Sequence, residues 1–353
     1  MFTAFNILNL TSKAIFSLIG VAAIVFLLFN VLPGDPAKLL GGKHADDSQI
    51  EMIRNEIGLN HSLPVRFVYF MNDLSFVSFK KPGTDHNWSE WFSIELGKSA
   101  EVVFKWPYLG KSYTNRTLVS KMILDALPES IALVFTSLFL AALIGIPIGV
   151  YASQKPNGTL DTLLRILTSF GLAVPSFVAA ILIAWLLGYL LNDYLGLPIT
   201  GILFKYDVYK GKEIIQFQNL ILPALALSIR PMCVSGQLMR NSMVEVLKKD
   251  FIRTARSKGL SERKILFKHA LPNAINPVLS ALGGWMAALL TGSIFVEFVF
   301  GWKGLGSVLL NAIDYQDFPV IIGLTLVVST TFILINWLLK LIMPYFDPTL
   351  LNE

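Results

Sequence analysis

The chain has 353 residues, of which 54% are hydrophobic and only 15% charged, where a soluble protein carries about 25% charged residues. A bilayer is therefore a better solvent for it than water. Its single cysteine, Cys233, excludes an intramolecular disulfide or a Cys-based metal framework, and the net charge of +5 is small enough that placement matters more than sum.

In chain order, six apolar runs are long enough to cross ~30 Å of hydrocarbon: residues 14–32, 131–152, 166–191, 220–238, 274–295 and 320–343. The first is uncharged and leads into Leu32-Pro-Gly-Asp-Pro36, with no small-x-small cleavage site. It reads as a retained helix and not as a signal peptide. After the fourth run comes the basic loop Arg240, Lys248, Lys249, Arg253, Arg256, Lys258, Arg263, Lys264 and Lys268. On the opposite side the loops hold Lys205, Lys210, Lys212 and Lys303. This asymmetry predicts that the basic loop and both termini are cytoplasmic, with residues 33–117 outside.

The outer segment is patterned. Residues 46–58 predict an amphipathic helix with Ile50, Ile53 and Ile57 on one face, and residues 64–74 predict a second. Trp88, Trp91, Phe92, Phe104, Trp106 and Tyr108 follow, as a packed cap on the membrane surface or a docking face for an external partner. No catalytic constellation is visible. Gly110-Lys-Ser112 lacks the earlier glycine of a phosphate-binding loop, since Lys105 stands there, and the four histidines form no metal-ligand pair.

Two features inside the runs carry chemistry. Arg230 lies mid-run beside Pro231, where a charge costs about 2.5–3.5 kcal/mol on insertion scales, so it should face a partner or a watery path. Pro231 should free a carbonyl and bend the helix; Pro147 and Pro175 also interrupt runs. A substrate carboxylate is one partner for Arg230; a structural ion pair is the other. Glu297 and Asp317 flank a loop made tight by Gly301, Gly304 and Gly306, a candidate external gate or docking point.

The basic loop has regular punctuation. Asp250 can cap a short helix over residues 251–258, Gly259 can end it in the left-handed conformation, and Ser261 can cap a second helix that stops near Pro272. The spacing Arg253-Thr-Ala255, Gly259, then Leu271-Pro272 resembles the signature loop of ABC-importer permeases, with Arg253, Thr254 and His269 as substitutions. Asp250-Phe-Ile-Arg-Thr-Ala-Arg-Ser-Lys-Gly-Leu-Ser-Glu-Arg263 is similar to the dipeptide/oligopeptide/nickel type. The resemblance extends along the chain: Val25 to Ala37, Gly58-Leu-Asn60, Leu109 to Tyr113, Leu222 to Leu227, Glu297 to Gly306, Asp317-Phe-Pro319, Asn336 and Asp347-Pro348. Lys303, Lys340, Thr349 and Gln237 depart from the family pattern, and the stretch 76–108 looks longer than usual.

The resemblance implies an all-α inner-membrane permease of six transmembrane helices, divided as an N-terminal helix (1–32), an extracytoplasmic segment (33–117) and a five-helix core (118–353) with a coupling loop at 247–272. It implies a second permease subunit, two ATPase subunits that carry ATP and Mg, an external substrate-binding protein, no nucleic-acid partner and no cofactor or catalysis on this chain. Asp250, Phe251, Ile252, Arg253, Ala255, Arg256, Lys258, Gly259 and Leu260 would engage the ATPase, with Phe251, Ile252 and Ala255 supplying packing. Arg230 and Pro231 would lie on the translocation path, and Glu297, Gly304, Gly306 and Asp317 at an external gate or dock. An ion-gradient transporter or channel would need mid-span carboxylates, which the runs almost wholly lack; a membrane scaffold without transport is the remaining alternative.

Overall fold

A computed structural model describes residues 4–31, 46–56, 59–80, 88–96, 100–207 and 211–346. The expected landmarks at 32–36, 57–58 and 347–348 lie outside the described residues. The chain divides into two compact units, one of Met1–Ala14, Ala126–Val308 and Thr331–Glu353, the other of Ile15–Asp125 and Leu309–Thr330.

The second unit carries most of helix α1 (Ala4–Val31), α2 (Asp47–Glu56), α3 (Leu63–Leu74) and a three-stranded antiparallel sheet. Both outer helices thus form where the periodicity placed them. Phe67 and Phe70 of α3 pack on Phe26 of α1, with ring centroids 5.2 and 5.4 Å away. The sheet comprises β1 (Val77–Lys80), β2 (Glu90–Leu96) and β3 (Ala100–Lys105), in the order β1-β3-β2. Its register puts Val77 and Phe92 opposite Phe104, and Phe79 and Ile94 opposite Val102, all on one face. The other face buries polar groups. Ser78 donates to the Asn72 carbonyl, and the fully buried Lys105 donates to the Asp73 carbonyl while sitting 4.6 Å over the Trp88 ring. Burial pushes the Lys105 pKa down. These strands correct the all-α expectation: the aromatic, β-branched composition of this stretch favours a pleated surface over a helix.

The first unit is the helical body. Helix α4 (Val119–Ser153) is followed by α5 (Thr159–Ala173), α6 (Ser176–Leu190, ending in a π-helical stretch), α7 (Asn192–Leu195), the hairpin β4 (Phe204–Asp207) and β5 (Lys212–Ile215), and α8 (Phe217–Val246). Then come α9 (Asp250–Ser257), α10 (Glu262–Ala274), α11 (Asn276–Gly292) and α12 (Ile294–Phe300), followed by α13 (Leu305–Asp314) and α14 (Phe318–Phe346), whose residues 309–330 belong to the second unit. Among the described residues, four helices are long and apolar enough to cross a membrane, and up to seven spans result if each bent pair is one span. The expected six falls within that range.

Two of the prolines noted in the runs act differently: Pro175 interrupts its run, as expected, while Pro231 leaves its helix continuous. The run 166–191 is not one rod: α5 and α6 meet at 107°. Pro175 has no N–H to continue α5 and drives Val174 into an extended conformation (φ −72°, ψ 124°). Conversely, α8 is a single helical element through Pro223 and Pro231. The helix after Ser261 also runs past Pro272 to Ala274, because residues 265–270 widen into a π turn. Leu271 donates to the Leu266 carbonyl five residues back, which moves the carbonyl that a proline ring would strike.

Helices α4 and α8 cross at backbone contact. A Cβ on Gly145 would meet Ser235 Oγ and the Met232 carbonyl; one on Gly149 would meet the Gly236 carbonyl and Met239. Gly145-Ile-Pro-Ile-Gly149 is the small-xxx-small pattern that lets membrane helices approach. Ser235 Oγ donates to the Ala141 carbonyl across the crossing (3.1 Å). Substituting Gly149→Val should therefore destabilise the protein by about 1–3 kcal/mol, read as a lower Tm in detergent. Gly284→Ala, whose Cβ meets nothing within 4 Å, should leave Tm unchanged or raise it.

Candidate coupling segment and intramembrane arginine

Helix α9 starts after Lys249 (ψ 150°), so Asp250 is its first helical residue and not its cap. Its carboxylate still favours the positive end of the helix dipole. The C-terminus closes as a full Schellman motif. Gly259 N–H donates to the Arg256 carbonyl (2.9 Å), Leu260 N–H to the Ala255 carbonyl (3.4 Å), and Gly259 has φ +73°. A Cβ on Gly259 would meet nothing, so only its backbone conformation requires glycine.

The helix has two distinct faces. Ile252 is fully buried and Ala255 nearly so, in a cluster with Val150 of α4, Met239, Met243 and Val246 of α8, and Ile265 and Leu266 of α10. Leu260 packs against the same cluster. This corrects the expectation that Ile252 and Ala255 pack on another subunit: they anchor α9 to its own chain. The outward face is Phe251, Arg253, Thr254, Ser257 and Lys258. Phe251 is its one large apolar group, 42% exposed.

Arg256 is not a free cation. It makes a two-pronged pair with Glu262 at the start of α10 (2.9 and 3.3 Å), which raises its pKa. Arg253 lies 3.5 Å from Asp250, with both side chains largely in solvent, so that pair contributes little.

Beside this cluster, next to Met239, lies an ion pair that was not foreseen. Arg240 of α8 donates from Nε and Nη2 to both oxygens of Asp161 (2.8 and 2.7 Å), and Asp161 is fully buried at the start of α5. Asp161 also accepts from the Asn157 N–H (2.7 Å), and Asn157 holds φ +64°. Two lone charges at opposite edges of separate runs carry no local sequence signal of pairing.

Arg230 is half-buried in the middle of α8. Its Nη2 donates to the Leu172 carbonyl (3.2 Å) near the end of α5, and its buried Nε has no partner among the described residues. Pro231 is buried beside it. The side chain lines a cavity of about 210 Å³ at the α5–α6 break.

Glu297 and Asp317 are both internal. Glu297, on α12, accepts from Ser130 Oγ and Ser293 Oγ (each 2.9 Å), Gly306 N–H (2.8 Å) and Ser307 N–H (3.2 Å). A Cβ on Gly304 or Gly306 would collide with that carboxylate, so these glycines serve close approach; the left-handed turn itself is made by Gly301. Neighbouring Glu129, which sequence reasoning missed, accepts the Leu203 and Phe204 N–H groups, while its backbone carbonyl accepts Trp302 Nε1–H (3.0 Å). Asp317, 3% exposed, accepts from Ser112 Oγ (2.5 Å), Tyr113 N–H (3.0 Å) and Thr114 N–H (3.2 Å). These two carboxylates therefore fix loops internally and offer no surface to an external protein.

Residues 145–352 match the family described as binding-protein-dependent transport system inner membrane component, and residues 3–134 match the N-terminal family of such membrane components. A probable D,D-dipeptide transport system permease protein of Escherichia coli (strain K12) is 33% identical over 93% of this chain and 92% of its own length. A dipeptide transport system permease protein of Alkalihalophilus pseudofirmus is 31% identical over 94% of each chain. A glutathione transport system permease protein of Salmonella typhimurium is 32% identical over 95% of this chain and 94% of its own.

The two faces of α9 should respond differently. Ile252→Ala should destabilise the purified protein by roughly 2–5 kcal/mol, as for other buried large-to-Ala changes. Arg253→Ala should stay within about 0.5 kcal/mol. Thermal unfolding in detergent compares them; equal losses would show that the outward face is also a packing face.

Proposed function

The chain belongs to the family of binding-protein-dependent transport system inner membrane components, and from that premise we propose that it is the permease subunit of an ATP-driven importer of peptides. The observation that carries the mechanism is α9, a short helix closed at one end and sunk on one face into its own chain, with Phe251, Arg253, Thr254, Ser257 and Lys258 outward. Such an element suits a rigid coupling to ATPase subunits. A push on its outer face is carried by Ile252 and Ala255 into the ends of α4, α8 and α10. The substrate class rests on relatives named for dipeptides and glutathione.

The chain is a multi-pass protein of the bacterial inner membrane, with both termini and α9 cytoplasmic. It pairs with a second permease subunit. Two ATPase subunits, carrying ATP and Mg, dock at α9, and an external binding protein delivers substrate. The six-span count takes the α12–α13 pair, bent by 89°, as a re-entrant external turn. The division into residues 1–32, 33–117 and 118–353 is part of the same reading. Asp250 and Gly259 shape the coupling helix, Leu260 and the Arg256–Glu262 pair lock its exit, and Arg230 and Pro231 lie on the path. Glu297, Gly304, Gly306 and Asp317 stiffen the external gate from inside.

The test is ATP hydrolysis by the purified complex of permease and ATPase subunits in lipid, stimulated by loaded binding protein. The double substitution Phe251→Ala with Arg253→Glu should cut stimulated hydrolysis and ATPase co-purification about tenfold or more, with membrane insertion unchanged. Full stimulation in the double variant would overturn the coupling role of α9.

A further inference from the structure

The break between α5 and α6 leaves two helix ends inside the apolar layer. The final carbonyls of α5 and the first N–H groups of α6 have no intrahelical partners there. Ala179 is the first residue of α6 whose N–H reaches back to a carbonyl, that of Pro175 (3.1 Å). The cavity of about 210 Å³ opens at this point, between Gly171, Val174 and Ser176 at the break, Ala226 and Arg230 on α8, and Trp285 on α11. Arg230 is the one charged residue in its lining.

A guanidinium has five N–H donors. Among the described residues, Arg230 uses one nitrogen on the Leu172 carbonyl and leaves its buried Nε unpartnered. The other buried side-chain polar atoms without partners, Thr168 Oγ1 and Gln237 Oε1, lie on the same two helices, α5 and α8. Of these three atoms, only Arg230 Nε belongs to a residue that lines the cavity.

We propose that this cavity is a carboxylate subsite of the translocation path, in which Arg230 and the N-terminal end of α6 hold the free C-terminal carboxylate of a peptide in transit. The proposal rests on the reading of the chain as a peptide permease. Three features specify the ligand. An arginine fork matches a carboxylate in two-pronged geometry. The start of α6 adds N–H groups and the positive end of a helix dipole, the arrangement by which broken membrane helices receive anionic substrate groups. The volume is below the roughly 300 Å³ at which pockets enclose a whole small ligand, so it fits one end of a peptide and not all of it.

The test uses the assembled transporter in proteoliposomes, with ATP inside and binding protein outside. The substrate is a peptide chosen because its free acid and its C-terminal amide both load the binding protein. Arg230→Gln should lower uptake of the free acid about tenfold or more, the scale of a lost charge-assisted contact, and leave uptake of the amide within roughly twofold. Arg230→Lys, which keeps the charge but not the fork, should restore only part of the acid uptake. Equal loss for acid and amide would overturn the subsite and make Arg230 a structural or partner-pairing residue. Unchanged acid uptake in Arg230→Gln would overturn it as well. If wild-type protein takes up neither form, the peptide-permease reading itself fails and the subsite falls with it.

Discussion

In hydrocarbon, apolar side chains gain little by meeting one another, so helices are held by close backbone approach and by polar contacts. In the helical body that constraint is met where α4 crosses α8 at Gly145, Gly149 and Gly236, with Ser235 Oγ on the Ala141 carbonyl. Helix α8 in turn packs against α5, α6, α11 and the end of α10. Its middle bears Arg230, its lower part bears Arg240, and its last turns carry the Met239–Met243–Val246 surface on which α9 is seated. If the glycine crossing were opened, all three would lose their reference point together.

Buried carboxylates secure the same body at separate places. Each would be costly alone, since a charge withdrawn from water must be paired or hydrogen-bonded. Asp161 meets this with both prongs of Arg240 and a backbone N–H from the α4–α5 turn. Glu297 meets it with two hydroxyls and two backbone N–H groups, and Glu129 with two N–H groups of the loop before β4. The donors come from different elements, so each carboxylate works as a fastener between segments distant in sequence. Gly304 and Gly306 follow from this: their missing side chains leave room for the Glu297 carboxylate.

Legibility in the sequence divided along the same line between local and distant chemistry. The Gly259 turn, the two outer helices and the apolar runs were readable because a positive φ, a helical period and a hydrocarbon thickness act over neighbouring residues. The strands at Val77–Lys80, Glu90–Leu96 and Ala100–Lys105 were missed because their exposed apolar face and buried polar face invert the usual alternation; the aromatic and β-branched content was the available signal. The inward orientation of Ile252 and Ala255 was decided by hydrophobic neighbours on α4 and α8, which no local pattern names. Glu297 and Asp317 were noticed as charges beside a glycine turn, but their burial depends on Ser130 and Ser112, 167 and 205 residues away. The Asp161–Arg240 pair spans 79 residues and had no signal at all.

The same arrangement decides how movement at α9 would reach Arg230. Arg230 and the Met239–Met243–Val246 seat of α9 lie on one helix, with about 24 Å of α8 between Arg230 and Val246 at 1.5 Å per residue. Asp161–Arg240 ties α5 to that helix. Helices α5 and α6 are joined by the extended Val174–Pro175 link, which no helical hydrogen bond spans. The break is where the two helices turn by 107°, and it is where the cavity lies. On the proposed coupling role, a displacement entering through Ile252 and Ala255 would run along α8 towards Arg230 and the start of α6. A site formed by those two groups would tighten or loosen its hold on an anion with each stroke, which is the property a transit site needs and a permanent ion pair lacks.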